Sequence, residues 1–259
     1  MSRRAAMVPS APSEARIVPL LDRHLDAALA AVAAAQRGRA VGPVTVLDVG
    51  CGNQPFAERL RRLGYVYHAL DRAPSGEARL DFQVAIDAPA AEFRAVVPGR
   101  FDLVLCTEVL EHVLDWDAAF GNLAAATAED GYLLLSAPHF YFLHEQPHDY
   151  WRPTPHAIAA FAVRHGLQVR QAVRAGDAVD VFLTLGASLW FEPVATGSRL
   201  RRRVSRILAG LANRLHGHAR RAAAAMTGRW LRADSPYFLS NVALLARAGA
   251  PPTQGFWHE

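Results

Sequence analysis

The chain has 259 residues, of which 51% are hydrophobic and 20% charged. That composition suits a globular protein with one large domain or one domain plus an appendage. No run reaches the roughly 18 consecutive apolar residues of an ordinary transmembrane helix. The net charge is +4, carried by arginine with no lysine, and the excess is concentrated between Arg199 and Arg232. Cys51 and Cys106 read as small buried thiols, not as a disulfide or a metal pair.

Met1 to Pro12 is polar and lacks the apolar core of a signal peptide. Residues 1–13 are therefore expected to be a disordered tail, with 14–259 forming one domain in the cytoplasm. From Pro19 to about Gln36, Leu21, Leu25, Ala28, Leu29 and Val32 recur at helical spacing. Pro19 suits the first turn of that helix and Gly38 its stop.

Val44 to Val49 is a short apolar run, as a parallel strand covered on both faces requires. Gly50 and Gly52 then make a turn, Pro55 suits the first turn of a helix, and Gly64 can cap its end. The second strand, Val66 to Leu70, ends at Asp71, which is 19 residues beyond Gly52. An acid at that place can accept hydrogen bonds from both hydroxyls of an adenosine ribose. Leu80 to Val84 is a candidate third strand. Phe101 to Cys106 is a fourth, Gly131 to Ser136 a fifth and Gly166 to Val173 a sixth, with helices expected at Asp117–Ala128 and Pro155–Arg164. Strands alternating with helices predict a Rossmann-like, doubly wound α/β fold: a seven-stranded, mostly parallel sheet with helices on both faces. The core would span 40–175, a helical insertion 177–236, and a last strand about 238–247.

The turn Asp48-Val-Gly-Cys-Gly-Asn-Gln lacks the third glycine of a dinucleotide fingerprint, and Pro55 removes one N–H that a pyrophosphate would use. A small zwitterion joined to an adenosine fits better, with Asp48 as an acceptor for its amino group. These stretches, with Phe101-Asp-Leu-Val-Leu-Cys-Thr-Glu-Val-Leu-Glu-His-Val113 and Gly131-Tyr-Leu-Leu-Leu-Ser136, resemble class I S-adenosylmethionine-dependent methyltransferases of the type 11-like kind. The segment His144 to Thr154 is similar to small bacterial members associated with glycan biosynthesis. The resemblance implies S-adenosyl-L-methionine as cofactor. Asp48, Gly50, Cys51 and Gly52 would line its methionine end, Asp71 its ribose, and Thr107 and Glu108 its sulfonium. One of Asp81, Phe82 and Asp87 would flank the adenine.

A methyl group on a sulfonium already has a good leaving group, so alignment is the main catalytic requirement. A hydroxyl acceptor also gains from a nearby base. The His- and aromatic-rich stretch His139 to Pro155 supplies His144, His148 and Asp149 as catalytic candidates. It also supplies His139, Tyr150, Trp151 and Arg152 for substrate binding. Its histidines do not fall at the tight spacings of zinc motifs, so no metal is expected. The leading expectation is O-methylation of a small-molecule or glycan acceptor. Two alternatives stand beside it: an RNA methyltransferase using 199–232 as a phosphate-binding arm, and a non-catalytic adenosylmethionine-binding module. Nucleic acid is disfavoured because Cys106-Thr-Glu-Val109 is not the Asn/Asp-Pro-Pro-aromatic signature of exocyclic amine methylation. In Arg199 to Arg232, Leu200, Val204, Ile207, Leu208, Leu211 and Leu215 form a stripe among arginines, which also fits peripheral contact with a membrane.

Overall fold

A computed structural model describes residues 14–36, 42–76, 78–190 and 236–250, with six helical positions between 200 and 211. The expected tail 1–13 and most of the basic segment 199–232 lie outside the described residues. Seven strands form one sheet: β1 (Thr45–Val49), β2 (Val66–Asp71), β3 (Phe82–Gln83), β4 (Phe101–Thr107), β5 (Thr127–Pro138), β6 (Gln168–Ala175) and β7 (Ser240–Ala246). Their order is β3-β2-β1-β4-β5-β7-β6. The pairs from β3 to β5 are parallel, and β7 runs antiparallel between β5 and β6. The expected doubly wound sheet is therefore present, with its last strand inserted beside β5.

The strand side chains alternate between two cores, as a pleated sheet covered on both sides requires. Leu47, Val49, Val104, Cys106, Leu133 and Leu135 face one core with α3 (Ala90–Val96), α4 (Trp116–Ala126) and α5 (Pro155–Arg164). Val46, Leu103, Leu105, Tyr132 and Leu134 face the other, with α1 (Glu14–Gln36), α2 (Ala57–Arg62) and Val181 of α6 (Ala178–Trp190). The α5 helix has the expected bounds, with Thr154 Oγ1 accepting the Ala157 N–H at 3.2 Å.

Two boundaries differ from the sequence reading. Pro19 lies inside α1, not at its start. The helix reaches back to Glu14 because Ile17, one turn ahead of Leu20 and Leu21, is buried in the same core. Pro55 lies in the turn before α2, not in its first turn, and the helix starts at Ala57. Gly64 does follow that helix with φ +83°, as a left-handed cap requires. β3 is reduced to two residues, and α6 occupies the expected place of the insertion ahead of β7.

Candidate active site

The C-terminal ends of the parallel strands converge on one edge of the sheet, where open α/β folds bind ligands. A cleft of about 510 Å³ opens there. That size falls in the range of small-molecule and cofactor sites. It is walled by the glycine turn after β1, the end of β2, the segment 84–87, the loop after β4 and part of the loop after β5.

The glycine turn is fixed from two directions. Gly50 has φ +64°, and a Cβ there would stand 2.4 Å from Cγ2 of Val109. Only glycine lets the β1 and β4 loops approach so closely. The Gly52 N–H donates to Oδ2 of Asp71 at 3.0 Å, and the Arg72 N–H donates to Oδ1 at 2.7 Å. Asp71 thus joins the turn to the end of β2 and keeps its remaining lone pairs on the cleft wall.

Asp48 and Cys51 do not reach that wall. Asp48 is buried beneath the turn, where the Tyr67 hydroxyl donates to its Oδ2 at 2.7 Å. Burial pushes its carboxyl up to about 7, against the Tyr67 bond, with the charge of Asp71 adding to the rise. Cys51 packs in the core, and burial with the charges of Asp48 and Asp71 raises its thiol to about 12. Among the three residues proposed for the adenine, Asp87 lines the cleft with Val84, Ala85 and Ile86. Asp81 is instead spent on the Ala69 N–H at 2.8 Å, and Phe82 packs against His68 and Phe101.

After β4, Thr107 continues the sheet by pairing with Ser136, while Glu108 turns into the cleft at φ +53°. The Ser240 hydroxyl donates to Oε1 of Glu108 at 3.0 Å, and burial pushes that carboxyl up. A 3₁₀ turn, Leu110–His112, follows. Its Glu111 is fully buried. Burial and the neighbouring Glu108 charge hold the Glu111 carboxyl well above the usual range.

The loop after β5 is laced onto this turn. The N–H groups of Tyr150 and Trp151 donate to the Glu111 carbonyl at 2.8 and 3.3 Å, and Trp151 Nε1–H donates to the Val113 carbonyl at 2.9 Å. Of the residues proposed for catalysis or substrate binding, His148 and Tyr150 line the cleft, with His148 Nδ1 2.9 Å from the Tyr150 hydroxyl. The others are committed to the loop itself. Arg152 grips both oxygens of Asp149 at 2.6 and 2.7 Å and also donates to the carbonyls of Tyr141 and Phe142. Burial would raise the Asp149 carboxyl, but Arg152 and the His144 backbone N–H outweigh it and bring it down to about 2. His144 stands behind the wall against Asp149, and burial lowers its imidazole. His139 stacks on Phe238 with ring centres 4.3 Å apart, and its Nδ1–H donates to the Pro153 carbonyl.

Sequence reasoning passed over Val84, Ala85, Ile86, Leu114 and Glu145 as cleft residues. No motif marks them, because they reach the cleft through the path of loops. The Tyr67–Asp48 bond, by contrast, joins residues 19 apart on paired strands, at a register the alternation of β1 and β2 carries.

The chain is similar to several known proteins. A ubiquinone biosynthesis O-methyltransferase of Xanthomonas euvesicatoria is 37% identical over 103 residues, covering 35% of this chain and 41% of that protein. One of Methylobacterium nodulans is 36% identical over 101 residues, covering 36% of this chain and 40% of its own. The matched region thus spans about two fifths of these curated relatives. Among solved structures, an O-methyltransferase from a trans-AT PKS multienzyme of Brevibacillus brevis, in complex with S-adenosyl-L-homocysteine, aligns with a TM-score of 0.51. It covers 92% of this chain and 77% of that one at 14% identity. A SAM-dependent methyltransferase from Archaeoglobus fulgidus aligns at 0.50, covering 86% and 94% at 16% identity. These structural likenesses are of fold. The family model for a methyltransferase domain matches residues 20–171. That stretch holds the glycine turn, Asp71, the loop after β4 and the laced loop, and it is more than half of the sequence: the chain belongs to the methyltransferase domain family.

Proposed function

We propose that the protein is an S-adenosylmethionine-dependent methyltransferase that moves a methyl group to a hydroxyl oxygen of a small organic acceptor. The observation that carries this reading is the tie between the Gly52 N–H and Asp71 at the floor of the cleft. In this reading Asp71 accepts the ribose hydroxyls, and Asp87 with Ala85 and Ile86 borders the adenine. Glu108 places negative charge beside the sulfonium, and the glycine turn backs the methionine end. Asp48 acts from below the turn, as an acceptor whose ionisation responds to the charge above it.

The acceptor side falls to Leu114, His148 and Tyr150. The acceptor oxygen attacks the methyl carbon in line with the C–S bond, and that bond's electron pair passes to sulfur. His148, open to the cleft, takes the acceptor proton. His144 and Asp149 act as positioning residues of the loop, and Arg152 locks it. The relatives named for ubiquinone biosynthesis move the expected acceptor from a glycan toward a small organic molecule.

Calorimetric titration with S-adenosylmethionine and S-adenosylhomocysteine tests the cofactor. Binding of both is expected, weakened at least about tenfold in Asp71→Ala, the loss of charged hydrogen bonds worth about 1.5–3 kcal/mol. Absence of binding at millimolar ligand overturns the reading. Transfer of labelled methyl to a panel of hydroxylated small molecules, nucleotide sugars and RNA then identifies the acceptor class.

A second reading concerns location. Leu200, Val204, Ile207, Leu208 and Leu211 are helical and exposed, and arginines lie between them in sequence. Apolar side chains interleaved with positive charge complement an anionic membrane surface, which favours peripheral membrane contact over an arm for nucleic acid.

A further inference from the structure

Beside the cleft, three hydrogen-bond acceptors converge with no donor among them. Glu111 is fully buried. Its own backbone amide weighs on its ionisation, yet no hydrogen bond of normal geometry reaches either carboxylate oxygen. His112 Nε2 stands 3.7 Å from Glu111 Oε1, and His144 Nε2 stands 3.9 Å from the same atom. The opposite nitrogen of each ring fixes its tautomer. His112 Nδ1 is 2.7 Å from the His148 carbonyl oxygen, and a carbonyl only accepts, so Nδ1 carries the hydrogen. His144 Nδ1 faces Asp149 Oδ2 at 3.3 Å and the Phe142 carbonyl at 3.4 Å. Those two acceptors outweigh the one donor near it, Arg152 Nη2 at 3.4 Å. Both Nε2 atoms therefore turn lone pairs toward a carboxylate.

We propose that Glu111, His112 and His144 form a binding site for a divalent transition-metal ion in the wall of the cleft. The three ligand atoms lie within 4.8 Å of one another. Ligands held at about 2.0–2.2 Å from one ion stand roughly 3–3.5 Å apart. Closing the triad therefore takes side-chain shifts of about 1 Å or less. Two imidazoles and one carboxylate form the set that suits zinc, iron(II), cobalt(II) or manganese(II) and leaves positions open. The outer partners are those of a metal site: a backbone carbonyl behind one histidine and a carboxylate behind the other. Glu145 Oε2, on the cleft side, is 3.9 Å from His112 Nε2 and within reach of an open position.

Arg152 does not fill the place of the ion, because its guanidinium is spent on Asp149 and the carbonyls of Tyr141, Phe142 and Trp151. A proton on Glu111 is the competing occupant. It relieves repulsion toward one neighbour at most, and at 3.7 and 3.9 Å neither ring is within hydrogen-bond reach of it. The proposed site departs from the expectation of no metal drawn from the spacing of the histidines.

The role of the ion rests on the methyl-transfer reading. An acceptor hydroxyl bound at an open position becomes a stronger acid. Its proton passes to His148, the oxygen bonds to the methyl carbon, the C–S bond breaks, and sulfur keeps the electron pair as a neutral thioether.

Cobalt(II) is the probe. The chelator-treated full-length protein is titrated with cobalt chloride and followed by visible absorption and calorimetry, then with zinc as competitor. One equivalent is expected to bind, with a visible band that zinc abolishes. Affinity should fall at least about tenfold in His112→Ala and in His144→Ala, by loss of a ligand. Both rings are half-buried, so these variants keep the test available if Glu111→Gln does not fold, which circular dichroism reads. No saturable binding of cobalt or zinc at millimolar metal, or unchanged binding in His144→Ala, overturns the proposal. S-adenosylhomocysteine titrated into the same His144→Ala sample separates the two ideas. If it binds where cobalt never does, the metal site alone is refuted. If cobalt binds and S-adenosylhomocysteine binds neither the variant nor the parent protein, the cofactor reading alone is refuted.

Discussion

At the scale of single residues, the site concentrates carboxyl groups where water is excluded. Asp48 shows the consequence for stability. Its native carboxyl titrates near 7, because burial disfavours the anion more than the Tyr67 hydroxyl favours it. In the unfolded chain an aspartate titrates at about 3.9. The native state therefore holds a proton that the unfolded state releases between those values. Stability associated with protonated Asp48 is present below about pH 4 and is lost as pH rises through 7. Asp48→Asn keeps an oxygen for Tyr67 and removes the charge. It should gain stability over the parent protein between pH 5 and 8, by an amount on the order of 1–4 kcal/mol. Urea unfolding of both proteins at those two pH values checks it, and an equal difference at both would refute the argument. The same substitution should weaken S-adenosylmethionine binding, since the charge that costs stability beneath the glycine turn attracts a cationic amino group bound above it.

At the scale of elements, α1 and α6 share one buried ion pair. Arg16 reaches across to Asp180, whose side chain is fully buried and also accepts the Asp177 N–H at 3.2 Å. Removing one partner of such a pair strands a charge, at a typical cost of about 3–5 kcal/mol. Partial exposure of Arg16 and the remaining donor reduce this, so Arg16→Ala should lose about 2–4 kcal/mol. Arg16→Ala with Asp180→Asn should recover most of it, because the carboxylate stranded by the loss of Arg16 is then neutral. Urea midpoints measure both variants; a single variant as stable as the parent would show that the pair contributes nothing. The pair also accounts for the early start of α1. Residues ahead of Pro19 bury Ile17 and anchor α6, and those gains hold a helix across a residue that sequence rules place at its beginning.

At the scale of the whole molecule, local chemistry was legible and long-range assembly was not. The apolar alternation of Val46 to Val49 and Leu103 to Cys106, the glycines at 50 and 52, and the 19-residue step to Asp71 carried the sheet and the cofactor end of the cleft. What needed the fold was the partnering of loops. Nothing local shows that Arg152 is consumed by Asp149, or that Glu111 and His144 face each other across 33 positions. The basic segment poses the same question outward, since its described apolar positions meet no core. If they meet a membrane, binding should have two parts. The arginines supply a salt-sensitive attraction for anionic lipid, worth roughly 1 kcal/mol per charge near the surface. Leu200, Val204, Ile207, Leu208 and Leu211 supply an apolar part that salt leaves intact. The full chain should sediment more strongly with phosphatidylserine vesicles than with neutral ones at low salt, and near 1 M salt, where the Debye length is about 3 Å, fall to the fraction bound by neutral vesicles. Ile207→Asp with Leu211→Asp should remove the salt-resistant fraction and leave S-adenosylhomocysteine affinity unchanged, because neither residue lines the cleft. Equal sedimentation with neutral and anionic vesicles would remove the arginine part of the argument, and none with either would exclude the membrane as the surface this segment meets.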